Sequence, residues 1–472
     1  MRNKSVWERA CGLAETVVEK VEFDETADAI VVSVRPAARA RGRCGECRRR
    51  SPRYDTGEGR RRWRALDLGT TRVFLEAGAP RVQCREHGVI VAAVPWARHR
   101  AGHTRDFDAL AAWLAVRTSK SAVMELLRVA WRTVGSIVAR VNADVDAQVD
   151  RLEGLRRIGI DEISYKRGHR YLIVVVDHDT GHLVWAGPGR NDAALNVFFD
   201  QLGPERAALL THVSADMADW IARVVARRAP NATRSADPFH VVAWAIDALD
   251  IERRRAWNEA KGRHSTREVG RPFDRATGDA KHIAQSRYAL WKNPGDLTGR
   301  QRHQLDWIAK TTPRLWRAYL LKEGLRYVFA VKGEEGKIAL DRWIEWARRS
   351  RIPAFVHLQR RIRTHRDAID AALDSGLSQG LVESMNTKIR LLTRIAFGFH
   401  GYQPLVALAM LALGAHPPRL PGRTCPTETT GGPDMALRAS GGGEPVAGRR
   451  VGHARSAGRV QGGRIGCAGG SS

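Results

Sequence analysis

Residues 155–187, LRRIGIDEISYKRGHRYLIVVVDHDTGHLVWAG, decide how the rest of the chain is read. An apolar run carries Asp161 and Glu162 in its middle. Two β-rich runs follow, residues 171–177 and 182–186, joined by Asp-His-Asp-Thr-Gly, a turn composition. Three short strands in a meander are predicted, the first with a carboxylate pair inside it. A charge within so apolar a strand is costly unless it has a partner, and a bound divalent metal is one such partner.

Toward the C-terminus, residues 191–202 have helical spacing with Asn191 as the cap. Residues 208–215, ALLTHVSA, read as a short apolar strand ending at Asp216, and 217–228 are again helical. Residues 233–240 read as a fifth strand and turn leading into a helix over 241–249. The order β-β-β-α-β-α-β-α puts Asp161 on the first strand and Asp216 at the end of the fourth, side by side in a ribonuclease-H-like sheet. Residues 250–375 are mostly helical and basic, too long for a connection, and read as an inserted helical domain whose tryptophans are core. Helical character resumes at 379–390. There Leu381, Met385 and Lys388 are expected on one face, with Glu383 and Asn386, three apart, on another. Phosphodiester cleavage by two divalent ions needs a few converging carboxylates. Glu383 on this late helix would close a site begun by Asp161 and Asp216.

Toward the N-terminus, residues 13–35 read as two strands. Cys44-Gly-Glu-Cys47 and Cys84-Arg-Glu-His87 then stand 37 residues apart, and each short loop offers two ligands to a tetrahedral zinc ion. Such an ion would tie together a hairpin with too little apolar mass for a core of its own. Arginines 48–50, 60–62 and Arg64 surround it, interleaved with Tyr54 and Trp63. Cys11, Cys425 and Cys467 have no partner knuckle and no assigned role. Pro95-Trp96 ends the module. Across 107–141 the apolar spacing turns helical in three segments, with Thr118-Ser119-Lys120-Ser121 breaking the first two and offering an N-cap. Two short helices and a third beginning at Trp131 match a helix-turn-helix with Arg132, Thr133, Ser136 and Arg140 on its groove side. An ordinary three-helix bundle has the same periodicity, and charge favours DNA. Lys+Arg 78 against Asp+Glu 51 give a formal +27, dominated by arginine, the balance of a polyanion partner.

No apolar run approaches the roughly 18 residues of a membrane helix, and the N-terminus lacks a secretory h-region. A cytoplasmic, nucleoid-associated protein is expected, with no membrane partner. Six cysteines in 472 residues do not make a disulfide scaffold.

Taken in order, these pieces resemble the DDE transposases of bacterial insertion sequences, most closely the ISL-three family. The matching residues are the two cysteine knuckles, Gly159-Ile-Asp161-Glu-Ile-Ser, Val213-Ser-Ala-Asp216-Met, Asp237-Pro-Phe-His240-Val and Val382-Glu383-Ser-Met-Asn386-Thr-Lys-Ile-Arg. Arg394-Ile-Ala-Phe-Gly398-Phe is similar to the stretch that follows the third acid in that family. The resemblance covers roughly residues 10–415. It implies that Asp161, Asp216 and Glu383 are the DDE triad, holding two magnesium (or manganese) ions, with Asp161 bridging them. It further implies hydrolysis at the element's ends and attack of the freed 3′-hydroxyls on target DNA, with the terminal inverted repeats bound by the zinc and helix-turn-helix modules. Around the third acid the sequence departs from the family pattern, with Ser378-Gln379-Gly380 and Glu383-Ser384. Asp237 and His240 either orient the site or DNA, or form a structural turn. Asn386 is expected to support the acids, and Lys388 and Arg390 to meet DNA. Glu162 points to the opposite sheet face, Asp177 and Asp179 belong to a hairpin turn, and Asp219 to a first helical turn.

The expected fold class is therefore α/β. It has a zinc-binding domain at 1–100, a helix-turn-helix at 101–150 and a ribonuclease-H-like core at 151–250, then a helical insertion at 251–375. The last core helices lie at 376–416, and a disordered basic tail, a read-through or frame-altered extension, follows at 417–472. The expected function is transposition, with a homodimer or higher oligomer on double-stranded DNA because two ends must be joined. A DNA-binding regulator using only the N-terminal half, or a non-transposing nuclease on the same fold, are the alternatives.

Overall fold

The computed structural model describes residues 6–7, 11–265, 279–377 and 380–423. Seven short strands build the N-terminal part: β1 (Thr16–Asp24), β2 (Ala29–Pro36), β3 (Arg53–Asp55), β4 (Arg60–Arg64), β5 (Arg72–Gly78), β6 (Arg81–Cys84) and β7 (Gly88–Val91). They pair as a four-stranded sheet, β1-β2-β5-β4, and a three-stranded one, β3-β6-β7. Alternation along β1 and β2 buries Val18, Val32 and Val34 against Trp63 and Leu75 in a small core. Arg64 departs from its solvated, arginine-rich neighbourhood. It is buried, with its guanidinium 5.5 Å from the ring centroids of both Phe74 and Phe107 and 2.5 Å from Asp67.

Three helices follow, α1 (Arg105–Ala115), α2 (Lys120–Leu127) and α3 (Trp131–Asp146). Thr104 and Ser119 cap the first two through their side-chain oxygens, the second from within the stretch expected to supply a cap. Arg128, left-handed at φ 53°, makes the tight turn into α3. Val134, Ile137, Val138 and Val141 form the buried stripe of α3.

The predicted meander is β8 (Arg157–Lys166), β9 (Arg170–Asp177) and β10 (Leu183–Pro188), followed by α4 (Asp192–Leu202), α5 (Pro204–Ala207), β11 (His212–Ala215), α6 (Asp219–Arg228) and β12 (Thr233–Ala236). Strand order is β10-β9-β8-β11-β12, with β8, β11 and β12 parallel. The strand expected over 208–215 is only half as long. Pro204, helix-compatible at a first helical position, turns α5 instead, and Leu209 is exposed. One sheet face packs Ile158, Ile160 and Val175 on Phe198, Phe199 and Ile221 of α4 and α6.

α7 (Pro238–Ser265) carries the chain out of the sheet into the insertion. There lie α8 (Asp279–Gln285), α9 (Arg287–Trp291), α10 (Gly299–Thr311), α11 (Pro313–Val331), α12 (Gly333–Arg349), α13 (Pro353–Thr364) and α14 (Arg366–Ser375). Their shared core includes Leu249, Ile308, Leu325, Leu340 and Phe355. Trp343 is buried and donates its indole N–H to Leu321 at 2.7 Å, whereas Trp346 is 42% exposed. Residues 266–278 of the expected insertion, Ser378 and Gln379, and residues 424–472 of the expected tail lie outside the described residues, as do Cys425 and Cys467.

The chain returns as α15 (Gly380–Ile395) and α16 (Tyr402–Leu413). Val382, Met385 and Ile389 of α15 cover the second face of the sheet at Ile163, Leu172 and Val174. α16 is apolar nearly all round, the mark of a helix buried on several sides. Leu405, Ala409 and Met410 join the sheet, while Ala407, Leu408 and Leu411 join the core of α1–α3. The last helix thus packs against both the five-stranded sheet and the three-helix unit α1–α3. No described helix is long and apolar enough to cross a membrane.

Candidate active site and zinc centre

The C-terminal edge of the parallel strands is where the acids gather. In the ladders Ile160 pairs with Ala215, and Ala215 with Ala236. Asp161 is the next residue on β8, and Asp216 and Asp237 directly follow β11 and β12, so three aspartates stand at one level along three neighbouring strands. Asp161 Oδ1 accepts from the Glu162 amide at 2.7 Å, Asp216 Oδ1 from Met217 at 2.6 Å, and Asp237 Oδ1 from Phe239 at 2.9 Å. His240, one turn into α7, lies between the second and third. Its Nδ1 is 3.4 Å from Asp216 Oδ1, and its Nε2 is 3.5 Å from Asp237 Oδ2.

α15 supplies the fourth element. Asn386 is buried and donates from Nδ2 to Asp161 Oδ2 at 2.6 Å, leaving its own Oδ1 without a partner. Glu383, one turn earlier, is exposed and lines an open cavity of about 310 Å³ with Asp237, Phe239 and Lys332. The helix can lie this close because β8 carries glycine at 159. A Cβ there would stand 2.5 Å from Val382 and 2.9 Å from His178 Nε2. The expected grouping of Lys388 with Leu381 and Met385 does not hold. Val382, Met385, Asn386 and Ile389 form the buried row, and Lys388 is exposed.

Burial is the main influence on these acids. It pushes the Asp161 carboxyl up, with Asp216 adding and His240 and Arg390 opposing. Asp237 is pushed up to about 6, again by burial. Glu162 was expected at the surface or supporting the site. It is half-buried, raised by burial, and ion-paired with Arg190. Asp177 is buried in its hairpin turn and accepts from the Asp179 amide, and Asp179 pairs with Arg157. Asp219 stands in the first turn of α6.

The zinc knuckles meet as the spacing requires. Cys44 leads a tight turn in which its N–H donates to Arg49 O at 2.9 Å, and Cys84 and His87 flank the β6–β7 hairpin. Gly45 is obligatory: a Cβ would sit 2.2 Å from His99 Nδ1 and 2.6 Å from Val91 O. Cys47 Sγ is 3.7 Å from Cys84 Sγ, and His87 Nδ1 is 3.8 Å from Cys44 Sγ and 3.7 Å from Cys84 Sγ. A zinc–sulfur bond of ~2.3 Å makes a tetrahedral edge of about 3.8 Å, so the four fit one ion. His87 beside it holds the Cys84 thiol down at about 6, toward the thiolate that zinc takes. Among the described residues this is the only set of three or more such groups whose ligand atoms all lie within 4.8 Å of one another. The acids line a wider opening.

On the helix-turn-helix, Arg132 and Ser136 are exposed and Thr133 is half-buried. Arg140 departs from the expected groove side. Its guanidinium is 3.3 Å from Asp108, a fully buried carboxylate that also meets Arg98 at 3.0 Å. Leaving Asp108 unpaired would be costly, so Arg140 serves the packing of α1 on α3. Sequence spacing missed this pair because Asp108 reads as an ordinary first-turn acid. Glu162–Arg190 and the two-sided role of α16 were also missed. The continuous apolarity of α16 was the available signal for the latter.

A fold with parallel strands ending in acids, a late acid-bearing helix and a basic helix-turn-helix defines a nucleic-acid-processing enzyme. Residues 158–408 match the ISL3 DDE family model described as Transposase. Residues 40–87 match the zinc-finger of transposases IS204/IS1001/IS1096/IS1165, and residues 92–142 the helix-turn-helix domain of transposase family ISL3. The transposase for insertion sequence element IS1557 of Mycobacterium tuberculosis is 62% identical over 437 residues, 90% of this chain and 98% of that protein. The transposase for insertion sequence element IS1001 of Bordetella parapertussis is 26% identical over 406 residues, 84% of this chain and 95% of its own length. The chain belongs to the ISL3 family of DDE transposases. The similarity runs through the acid-bearing core as well as the N-terminal modules. This fits an insertion-sequence transposase and not a regulator built on the N-terminal half alone.

Proposed function

We propose that this transposase binds its element's terminal inverted repeats through the zinc ribbon and helix-turn-helix, and cleaves and joins DNA at Asp161, Asp216 and Glu383. The observation that carries the catalytic assignment is the row of aspartates at one strand level, with Asn386 bonded to Asp161 from the helix that bears Glu383. Hard carboxylate oxygens with an open side suit magnesium, and the unpartnered Asn386 Oδ1 leaves another oxygen near the row. Asp161, Asp216 and Glu383 would hold two ions, whose chemistry is to activate the attacking oxygen and stabilise the leaving one. The protein's own groups do the positioning. Asn386 fixes the Asp161 carboxylate against rotation. His240 spans Asp216 and Asp237 and keeps both carboxylates oriented. Thr133, Ser136 and Arg132 face the groove, and Lys388 and Arg390 hold the phosphate backbone beside the site. Hydrolysis at each element end frees a 3′-hydroxyl, which attacks the target duplex, and two ends require two copies of the chain.

The test is an end-labelled duplex carrying one element terminus, incubated with the protein and Mg²⁺. Cleavage leaving a 3′-hydroxyl is expected from the wild type and not from Asp161→Ala or Asp216→Ala, with binding retained in both. Cleavage by either variant would overturn the assignment.

A further inference from the structure

α15 ends in a way that the fold does not need. Gly398 N–H donates to Thr393 O at 2.8 Å, and Phe397 N–H to Arg394 O at 3.0 Å. Those two bonds are a Schellman motif with Phe397 at its left-handed position, where glycine is the usual residue because it has no Cβ to strain. Phe397 has φ 54°, and its side chain is 82% exposed, the highest among the exposed large hydrophobic residues. A bulky residue in that conformation is an outlier that commonly marks function. Here backbone strain and an exposed ring coincide without any core contact in return.

The position of the ring indicates what it meets. Glu383, Thr387, Arg390 and Arg394 recur at spacings of four and three, and all are exposed, so they form one stripe on the outer face of α15, and the exposed Phe397 follows two residues past the end of that helix. Neither Arg390 nor Arg394 joins an ion pair among the described residues, unlike the many arginines elsewhere that do. At the far end, Ala396 and Phe399 face the α1–α2 turn, residues 117–120, across a cavity of about 20 Å³. Phe397 therefore stands where the stripe leaving the acid site reaches the helix-turn-helix.

We propose that this stripe lies along the bound DNA duplex and that Phe397 is a wedge inserted at a base step. Basic side chains track phosphates, and an apolar ring inserted between base pairs unstacks and kinks them, the use to which architectural DNA-binding proteins put exposed Phe and Leu. The fourteen residues from Glu383 to Phe397 span about 20 Å at ~1.5 Å each. At ~3.4 Å per base pair that is about six pairs from the scissile phosphate. A kink there would bring the repeat bound by the helix-turn-helix and the phosphate at the acids onto one continuous surface. The distance rests on Glu383 marking the active site; the wedge itself does not.

The experiment uses the full chain on the terminal inverted repeat, with 2-aminopurine moved one position at a time across the base pairs on either side of the cut. Wild type is expected to raise fluorescence at one step about six pairs from the cleaved bond. Phe397→Gly should abolish that rise and weaken binding several-fold, yet melt at or above the wild-type temperature because glycine suits the site. Phe397→Trp should keep the rise. The wedge is overturned if no step brightens, if Phe397→Gly brightens DNA like the wild type, or if that variant melts markedly lower. It is equally overturned if Phe397→Gly changes self-association of the free protein, which would place the ring against a second copy. Asp161→Ala should brighten the same step. Cleavage surviving in Asp161→Ala would sink the catalytic assignment and leave the wedge standing, whereas a bright step far from six pairs would separate Phe397 from the position of Glu383.

Discussion

The zinc site and the proposed magnesium site of this protein are built on opposite plans. The zinc ligands come from two tight turns, and their ligand atoms all lie within 4.8 Å of one another. The acids come from three strands and a helix more than 140 residues further on, and they line an opening instead of enclosing a point. A structural ion must be enclosed to hold a hairpin that lacks a core. A catalytic ion must leave room for substrate phosphate and water. Closure in one and openness in the other follow from what each ion has to do.

The largest expected effects separate the two centres. Asp161→Ala and Asp216→Ala should lower cleavage of inverted-repeat DNA by on the order of 10³-fold or more with affinity preserved, read by gel-resolved cleavage beside a binding titration. Cys44→Ser, or zinc chelation, should do the reverse. Repeat binding should be lost as the ribbon unfolds, while the melting of the catalytic core, read by hydrogen exchange at β8 and β9, stays in place. If chelation left binding unchanged, the plan of a closed structural site would fail.

A smaller effect tests how the open site is supported. Asn386→Ala should cost roughly 10- to 100-fold in cleavage and raise the Mg²⁺ concentration needed, as loss of a ligand-orienting partner does elsewhere. Because Nδ2 is the atom on Asp161, Asn386→Asp should be at least as damaging, since it replaces a donor with a second carboxylate. Equal activity in all three would mean that the hydrogen bond does not position Asp161.

The smallest effect is one of pH. Burial raises Asp237 to about 6, so the folded protein holds that proton more tightly than the unfolded chain. The group favours folding below its unfolded value near 4, and that benefit is lost as the pH rises through 6. Asp237→Asn should therefore raise the melting temperature at about pH 8, by at most about 3 kcal/mol of stability, and change little at about pH 4, both in magnesium-free buffer without chelator. Oδ1 of Asn can still accept from Phe239. A gain of the same size at both pH values would show that the burden is not the buried charge. In the zinc ribbon, Asp55 and Glu76 are instead held below the usual carboxylate range by Arg81 and by Arg62 and Arg60, so its unfolding should not share this profile.

Much of this was legible beforehand for a local reason. Strand alternation, helical spacing, caps in the 118–121 stretch and at Asn191, and the two knuckles each act within a few residues, so the sequence by itself determined β1 and β2, the three helices α1–α3, the meander and the elements after it up to α7 apart from α5, and the four zinc ligands. It also marked Asp161, because a charge in an apolar strand stands out, whereas the full triad followed from the family resemblance. The length of β11 was misjudged because Pro204 starts a helical turn in a run that is apolar enough for a strand. What only the tertiary structure decided is which distant residues meet. Asn386 reaches Asp161 across 225 positions, Gly159 admits α15 to the sheet, Asp108 claims Arg140, and α16 packs between the catalytic sheet and the helix-turn-helix. Periodicity tells which face of an element is buried but not against what. Partners far apart in the chain are chosen by packing and by the cost of leaving a buried charge alone, and neither has a local signature.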